Sequence, residues 1–332
     1  MRRLLSPTVV IPAILSVSLL AALLAFGNVG NIGALLSGFH LPYILAILLL
    51  LVAYEVVQCT QWNILLTAEG IRAPLRARIF AYLVGDMARV LPIGNYFENY
   101  LLLRETGTDF GRSSAATTLS VLIEVACCLT GLVILGIGTW FWLRPLIVGG
   151  LGIFLVIVWQ VHKRYGRRPR PHWVSTRPAI GKVLDEFQQF RAGAADLLNP
   201  RVLSWAAAFG ACYLVLGGSV LFLVLRGLGI GTPMYGEVLA VYFFSIAFAL
   251  IFPLPIDIGV YEASGTGAFL AVGLSRTDAV SAVLLARLFT TGTAVAVALV
   301  TMVILRDQIP AILRRRPNRA GPPRAGEPRQ EG

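Results

Sequence analysis

Residues 9–26, VVIPAILSVSLLAALLAF, carry no charge across eighteen positions. Similar runs, each with at most one charged residue, recur at about 43–66, 114–138, 145–161, 202–225 and 280–305. A helix needs about 20 apolar residues to cross the hydrocarbon core of a bilayer. Runs of this length cannot all be buried inside one water-soluble domain of 332 residues. Only 14% of the chain is charged and 57% is hydrophobic, against about 25% charged in soluble domains. In lipid the backbone must satisfy its own hydrogen bonds, which leaves helices as the spanning element for such runs. The sequence therefore predicts an all-α polytopic membrane protein of about six full transmembrane helices.

The formal net charge is +11. Its basic residues sit between and after the apolar runs, the pattern of the positive-inside rule. No basic surface interleaved with aromatics supports nucleic-acid binding. Cys59, Cys127, Cys128 and Cys212 all fall within apolar runs, without CxxC or His spacing, and read as small buried hydrophobes. His40, His162 and His172 form no cluster. We expect no metal, no cofactor and no soluble-type catalysis. P-loop, HExxH and GxSxG patterns are absent.

Arg2 and Arg3 place the N-terminus in the cytoplasm, ahead of an uncleaved first helix. Arg72, Arg76 and Arg78 mark the second return to that side. Residues 162–178 hold six Lys/Arg and no acid, again cytoplasmic. In 179–198, Ile180, Val183, Leu184, Phe187, Phe190, Ala194 and Leu197 recur at helical spacing, predicting an amphipathic interfacial helix. The expected organisation is a membrane domain over 1–305, with halves 1–161 and 201–305 joined by a linker at 162–200. A disordered basic tail, 306–332, with Arg314, Arg315 and Arg316, lies in the cytoplasm. The protein is expected in the cell (inner) membrane as a multi-pass chain with both termini cytoplasmic.

Two apolar segments are broken. Residues 79–107 are interrupted by Arg89, Pro92, Gly94 and Asn95, and residues 236–273 by Pro253, Pro255, Asp257 and Gly259. Each arm of the first is too short to cross. A single kinked, crossing helix is one reading, and a re-entrant hairpin is the other. If the second segment crossed once, the arginine tail would lie outside, so the charge rule favours two hairpins. The segments also resemble each other. Each has Leu-Pro-Ile, a glycine, an aromatic and then a glutamate, Glu98 or Glu262. Glu124 and Arg287 both lie 32 residues past the respective proline (124−92 and 287−255). With one hairpin opening from each side, the halves form inverted repeats. A Gly/Pro-interrupted segment in each half is the transporter pattern that points to a binding site.

Charge inside a membrane is expensive unless it faces a cavity or a partner. Glu262 and Glu98 each have two readings, a helix N-terminal cap or a cavity carboxylate for a cation or proton. Recurrence in both halves favours the second. Arg287 and Arg89 are either ion-pair partners within the bundle or contacts for a lipid phosphate. Glu124 or Glu262 is the expected partner of Arg287. Glu55, Gln58 and Trp62 share one helix face, read mainly as interhelical hydrogen bonding. Asp86 is read as a structural neighbour of Arg89, and Phe243, Phe244, Phe248 and Phe252 as packing or lipid contact. The candidate substrate-binding set is thus Arg89, Glu98, Glu124, Asp257, Glu262 and Arg287, with breaks at Pro92, Gly94, Pro253, Pro255 and Gly259.

The stretch FPLPIDIGVYEASGTGAFLAVGLSRTDAVSAVLLARLF, 252–289, with ARVLPIGNYFENYLLLRETG, 88–107, resembles the transmembrane region of lysylphosphatidylglycerol synthases, the flippase-like domain family. The resemblance extends over roughly 10–305. It implies a membrane domain that moves a lipid or lipid-linked molecule between leaflets. Family members often carry PGGLG where this chain has PIDIG at 255–259, so Asp257 replaces a small residue. Full synthases add a soluble aminoacyl-transferase domain. Here 27 residues follow Leu305 (332−305), so that enzymatic activity is expected to be absent. The alternative expectation is a non-catalytic membrane subunit serving a separately encoded lipid-modifying enzyme as partner.

Overall fold

A computed structural model describes residues 38–87, 96–135, 199–251 and 259–305, together with 189, 190, 193, 194 and 197. These residues form helices α1 (Pro42–Ala68), α2 (Leu75–Met87), α3 (Phe97–Thr106), α4 (Phe110–Leu135), α5 (Pro200–Gly227), α6 (Tyr235–Ile251), α7 (Val260–Ala271) and α8 (Arg276–Ile304). No strand occurs among the described residues. The expected spans near 9–26 and 145–161, most of the 162–200 linker and the 306–332 tail lie outside the described residues.

Four helices, α1, α4, α5 and α8, are long and apolar enough to cross a membrane. Their ends follow from local chemistry. Pro42 opens α1, where its missing N–H costs nothing. Asn199 caps α5 by accepting the Arg201 N–H at 3.0 Å, with Pro200 behind it. Ser275 caps α8 by accepting the Asp278 N–H at 3.2 Å, so that helix begins four residues before the apolar run expected at 280 (280−276). Similarly α2 starts at Leu75 rather than 79, because Arg76 and Arg78 are helical despite their charge. Long arginine stems lie along apolar surface and lift the head to the interface.

The four remaining helices come as two neighbouring pairs. α2 packs on α3, and α6 packs on α7. At about 1.5 Å per residue, none of these reaches the roughly 30 Å of a bilayer core. The α2–α3 pair belongs to the hydrophobic cluster that holds the end of α1 and the starts of α4 and α5, through Leu65, Phe80, Leu102, Ala116 and Ala206. The α6–α7 pair belongs to a second cluster at the opposite end, with Ile47, Leu132, Leu225, Phe243 and Phe269. Buried Leu197, from the linker, seals the first cluster.

The packing has an internal exchange. Substitute α1 for α5, α2 for α6, α3 for α7 and α4 for α8. Every helix pair in substantial contact then maps onto another such pair: α4–α6 onto α8–α2, α5–α6 onto α1–α2, α7–α8 onto α3–α4. The α1–α5 pair maps onto itself and is the most extensive seam. α5 is the central span, half of its apolar window being buried against 22–28% in the other three. On α1, Leu45, Leu49, Val52 and Val56 are exposed at helical spacing on one stripe. That face suits hydrocarbon, where an exposed leucine carries no hydration penalty.

Candidate functional site

The short pairs bring charge into the interior. Near the end of α2, Gly85 lies directly against the start of α3. A Cβ at that position would stand 2.6 Å from Glu98 Cβ and 2.8 Å from the Glu98 backbone nitrogen. Only glycine allows this approach, and it leaves Glu98 buried, with 1% of its surface exposed. Glu98 Oε1 accepts the Thr117 hydroxyl of α4 at 3.2 Å. Thr117 in turn accepts Trp62 Nε1–H of α1 at 3.1 Å and Asn99 Nδ2–H at 2.9 Å. Two N–H donors fill the lone pairs of this hydroxyl, so its own proton points at Glu98. Three helices are tied at one atom.

In the second pair, Gly259 precedes α7 with φ +108°, a conformation that favours glycine. Its N–H donates to Glu262 Oε2 at 2.6 Å, one half of a capping box. Glycine has no side chain to return the other half. Glu262 Oε1 lies 3.6 Å from Arg287 Nε on α8. The Arg287 guanidinium also stands over the Tyr261 ring, 5.6 Å from its centroid. Both expectations for Glu262 therefore coexist in the geometry: it caps its helix and it pairs with an arginine. Of the two partners expected for Arg287, the carboxylate of Glu262 makes this ion pair.

A cavity of about 180 Å³ lies between the halves. Of the predicted set, Glu98, Glu124 and Arg287 line it together. Glu262 stands one layer behind, holding Arg287. Glu55, Gln58 and Trp62 of α1, read mainly as interhelical hydrogen bonding, and Asp86 of α2, read as a structural neighbour of Arg89, also line it. Trp62 does have that structural role, through Thr117. Phe243 is buried, and Phe244 stacks on the more exposed Phe248 with centroids 5.5 Å apart; Phe252 lies outside the described residues. Arg89, Pro92, Gly94, Pro253, Pro255 and Asp257 lie outside the described residues.

Sequence reading missed Thr117, Asn99, Tyr54, Tyr82, Tyr261, Thr290 and Thr291. Thr117 sits in SSAATTL, which reads as small residues for helix packing. Its role appears only when α1, α3 and α4 are assembled. Tyr54 and Tyr82 had a weak signal, as hydroxyl-bearing rings within apolar helices. Among the described residues, no group of three or more His, Cys, Asp and Glu is arranged to hold a metal ion.

What the described residues of the cavity offer chemically is carboxylates, hydroxyls and a guanidinium inside an apolar bundle. No curated protein matches the chain. The family model described as the lysylphosphatidylglycerol synthase TM region matches residues 9–299, and the chain belongs to that family.

Proposed function

We propose that the protein moves a lipid or lipid-linked molecule between the leaflets of the cell membrane, with the headgroup passing through the cavity between its halves. One observation carries this reading. Glu98, from the first short helix pair, and Arg287, paired to Glu262 of the second, meet at a single cavity within a bundle of membrane-crossing helices. Charges so placed are costly in hydrocarbon and are kept where a polar group must pass.

On this reading α2–α3 and α6–α7 are re-entrant hairpins, one from each side of the membrane. The halves are inverted repeats, and about six spans cross. The exchange in helix packing and the location of the two pairs in clusters at opposite ends support this. Arg72, Arg76, Arg78, Arg104, Arg112 and Arg201 all lie around the α2–α3 end, and by the positive-inside rule they support a cytoplasmic location for that end, and with it for both termini. Arg287 contacts the headgroup phosphate, and Glu262 holds it until the phosphate arrives. Arg89 and Asp257, at the two breaks, belong to the same pathway. No ATPase motif is present, so movement is passive, ion-coupled or driven by a partner.

The test is reconstitution into liposomes containing a fluorescent phospholipid, with dithionite quenching of the outer leaflet. Transbilayer movement above that of protein-free liposomes supports the reading. Quenching that stops at the outer-leaflet fraction for every lipid class contradicts it. It would favour the second reading, a non-catalytic membrane subunit for a separate lipid-modifying enzyme, which membership of a family of synthase membrane regions motivates.

A further inference from the structure

The exchange that maps the packing of one half onto the other does not map the cavity. On α4 the lining runs from Thr117 to Glu124, and on α8 from Arg287 to Val295. α4 starts in the first hydrophobic cluster and α8 ends there, so both stretches lie on the α2–α3 side of the level set by Glu124 and Arg287. The matched prolines are 163 residues apart (255−92), as are Glu124 and Arg287 (287−124). At that spacing the cavity-lining Thr117 and Ser120 correspond to Val280 and Val283, both buried. The cavity-lining Thr291, Ala294 and Val295 correspond to Cys128, Gly131 and Leu132. Cys128 and Leu132 are buried in the second cluster. Phe243 of α6 presses its ring onto Gly131, where any Cβ would collide with it. Gly217 and Gly218 of α5 seat α6 further, by receiving Tyr242 and Leu239. The counterpart of Phe243 is Phe80 of α2 (243−80), buried in the first cluster, while Ala294 lines the cavity. Corresponding positions are thus packed shut in one half and open in the other.

We propose that Phe243 seated on Gly131 is the closed gate on the α6–α7 side of the pathway, and that the halves exchange this closure. This rests on the reading that the cavity handles a lipid headgroup. In the second setting α6 withdraws from Gly131, and Phe80 brings α2 over Ala294 and Val295. Packed seams have discrete arrangements rather than a continuous range, and inverted repeats supply two of equivalent form. The two are not equal in this chain. Ala294 carries a methyl group where Gly131 has none, so Phe80 seats less deeply than Phe243. The setting closed on Gly131 is therefore the favoured one.

Two experiments test the gate. Native Cys128 and a Thr291→Cys substitution occupy matched positions, and each is kept as the sole cysteine in sealed proteoliposomes. Thr291→Cys is expected to react with an impermeant maleimide from the α2–α3 side. Cys128 is expected to react from the opposite side, about tenfold to a thousandfold more slowly, as for a state populated at about 0.1–10%. Reaction of Cys128 from the α2–α3 side, at the Thr291→Cys rate, or only after denaturation overturns the gate, as does a Thr291→Cys that is inert from the α2–α3 side. Neither labelling requires lipid to move. In the second experiment Gly131→Cys and Phe243→Cys, with the native cysteines replaced, are bridged by a short bis-thiosulfonate in liposomes holding a fluorescent phospholipid. Bridging should bring phospholipid movement to the protein-free rate, and reductant should restore it. Undiminished movement through the bridged protein overturns the gate and leaves lipid movement intact. Where the unbridged pair moves no lipid, the labelling of Cys128 decides the gate by itself, and a silent wild-type chain counts against the lipid reading alone.

Discussion

Arg287 Nε stands 3.6 Å from Glu262 Oε1, while the other oxygen of the same carboxylate holds the Gly259 N–H at 2.6 Å. One side chain thus fixes the start of α7 and the guanidinium that faces the cavity. These roles separate by substitution. Glu262→Gln keeps an oxygen for the Gly259 N–H and removes the charge. Glu262→Ala removes both, at a further cost of about 1 kcal/mol for a lost cap. The apparent melting temperature in detergent should fall in the order wild type, Gln, Ala. Equal melting of the Gln and Ala variants would refute the capping role.

Gly85 is the contact that lets α2 and α3 close. Gly85→Ala places a methyl group 2.7 Å from Glu98 Cα, an overpacking that costs about 1–3 kcal/mol. Gly267→Ala on α7 is the control. Nothing lies within 4 Å of its added Cβ, and alanine gains about 0.5–1 kcal/mol over glycine within a helix. Melting temperatures should move in opposite directions for the two variants.

Thr117 joins Trp62, Asn99 and Glu98 at one hydroxyl. Thr117→Val has nearly the same shape and leaves two buried N–H donors without their acceptor, at about 1–3 kcal/mol each. Thr117→Ser keeps the hydroxyl. The expected result is strong destabilisation and lost lipid movement in the valine variant, with recovery of both in the serine variant. A valine variant as stable and as active as wild type would remove the network from the account.

Much of this architecture was legible in the sequence because it follows from hydropathy and from proline and glycine. The four long spans α1, α4, α5 and α8 fall on the apolar runs, shifted by a few residues, as where Ser275 caps α8 ahead of its run. The paired short helices fall on the broken segments, and the acids Glu98 and Glu262 on the starts of the second arms. Sequence could not place Thr117 against Glu98, because that contact joins residues from different helices through a common small-residue type. Nor could it place Glu262 against Arg287. That contact depends on how α7 lies on α8, and periodicity along one helix carries no information about it.

Topology has its own test. In a background with Cys59, Cys127, Cys128 and Cys212 replaced, a single cysteine at His172 or at Ala320 should react with an impermeant maleimide from the cytoplasmic side only. Labelling of either from outside would break the two-hairpin arrangement, since the parity of crossings would change.

Whether Arg287 handles headgroups or merely holds the bundle is the central question. The decisive variant is Arg287→Met combined with Glu262→Gln. It removes both charges at similar volume and keeps the Gly259 hydrogen-bond acceptor. Replacing a buried ion pair in this way is often close to neutral for stability. In liposomes, at matched melting temperature and protein content, this variant should leave phospholipid movement at the protein-free rate. If it moves phospholipid as fast as wild type, Arg287 is scaffolding and the headgroup pathway proposed here is wrong.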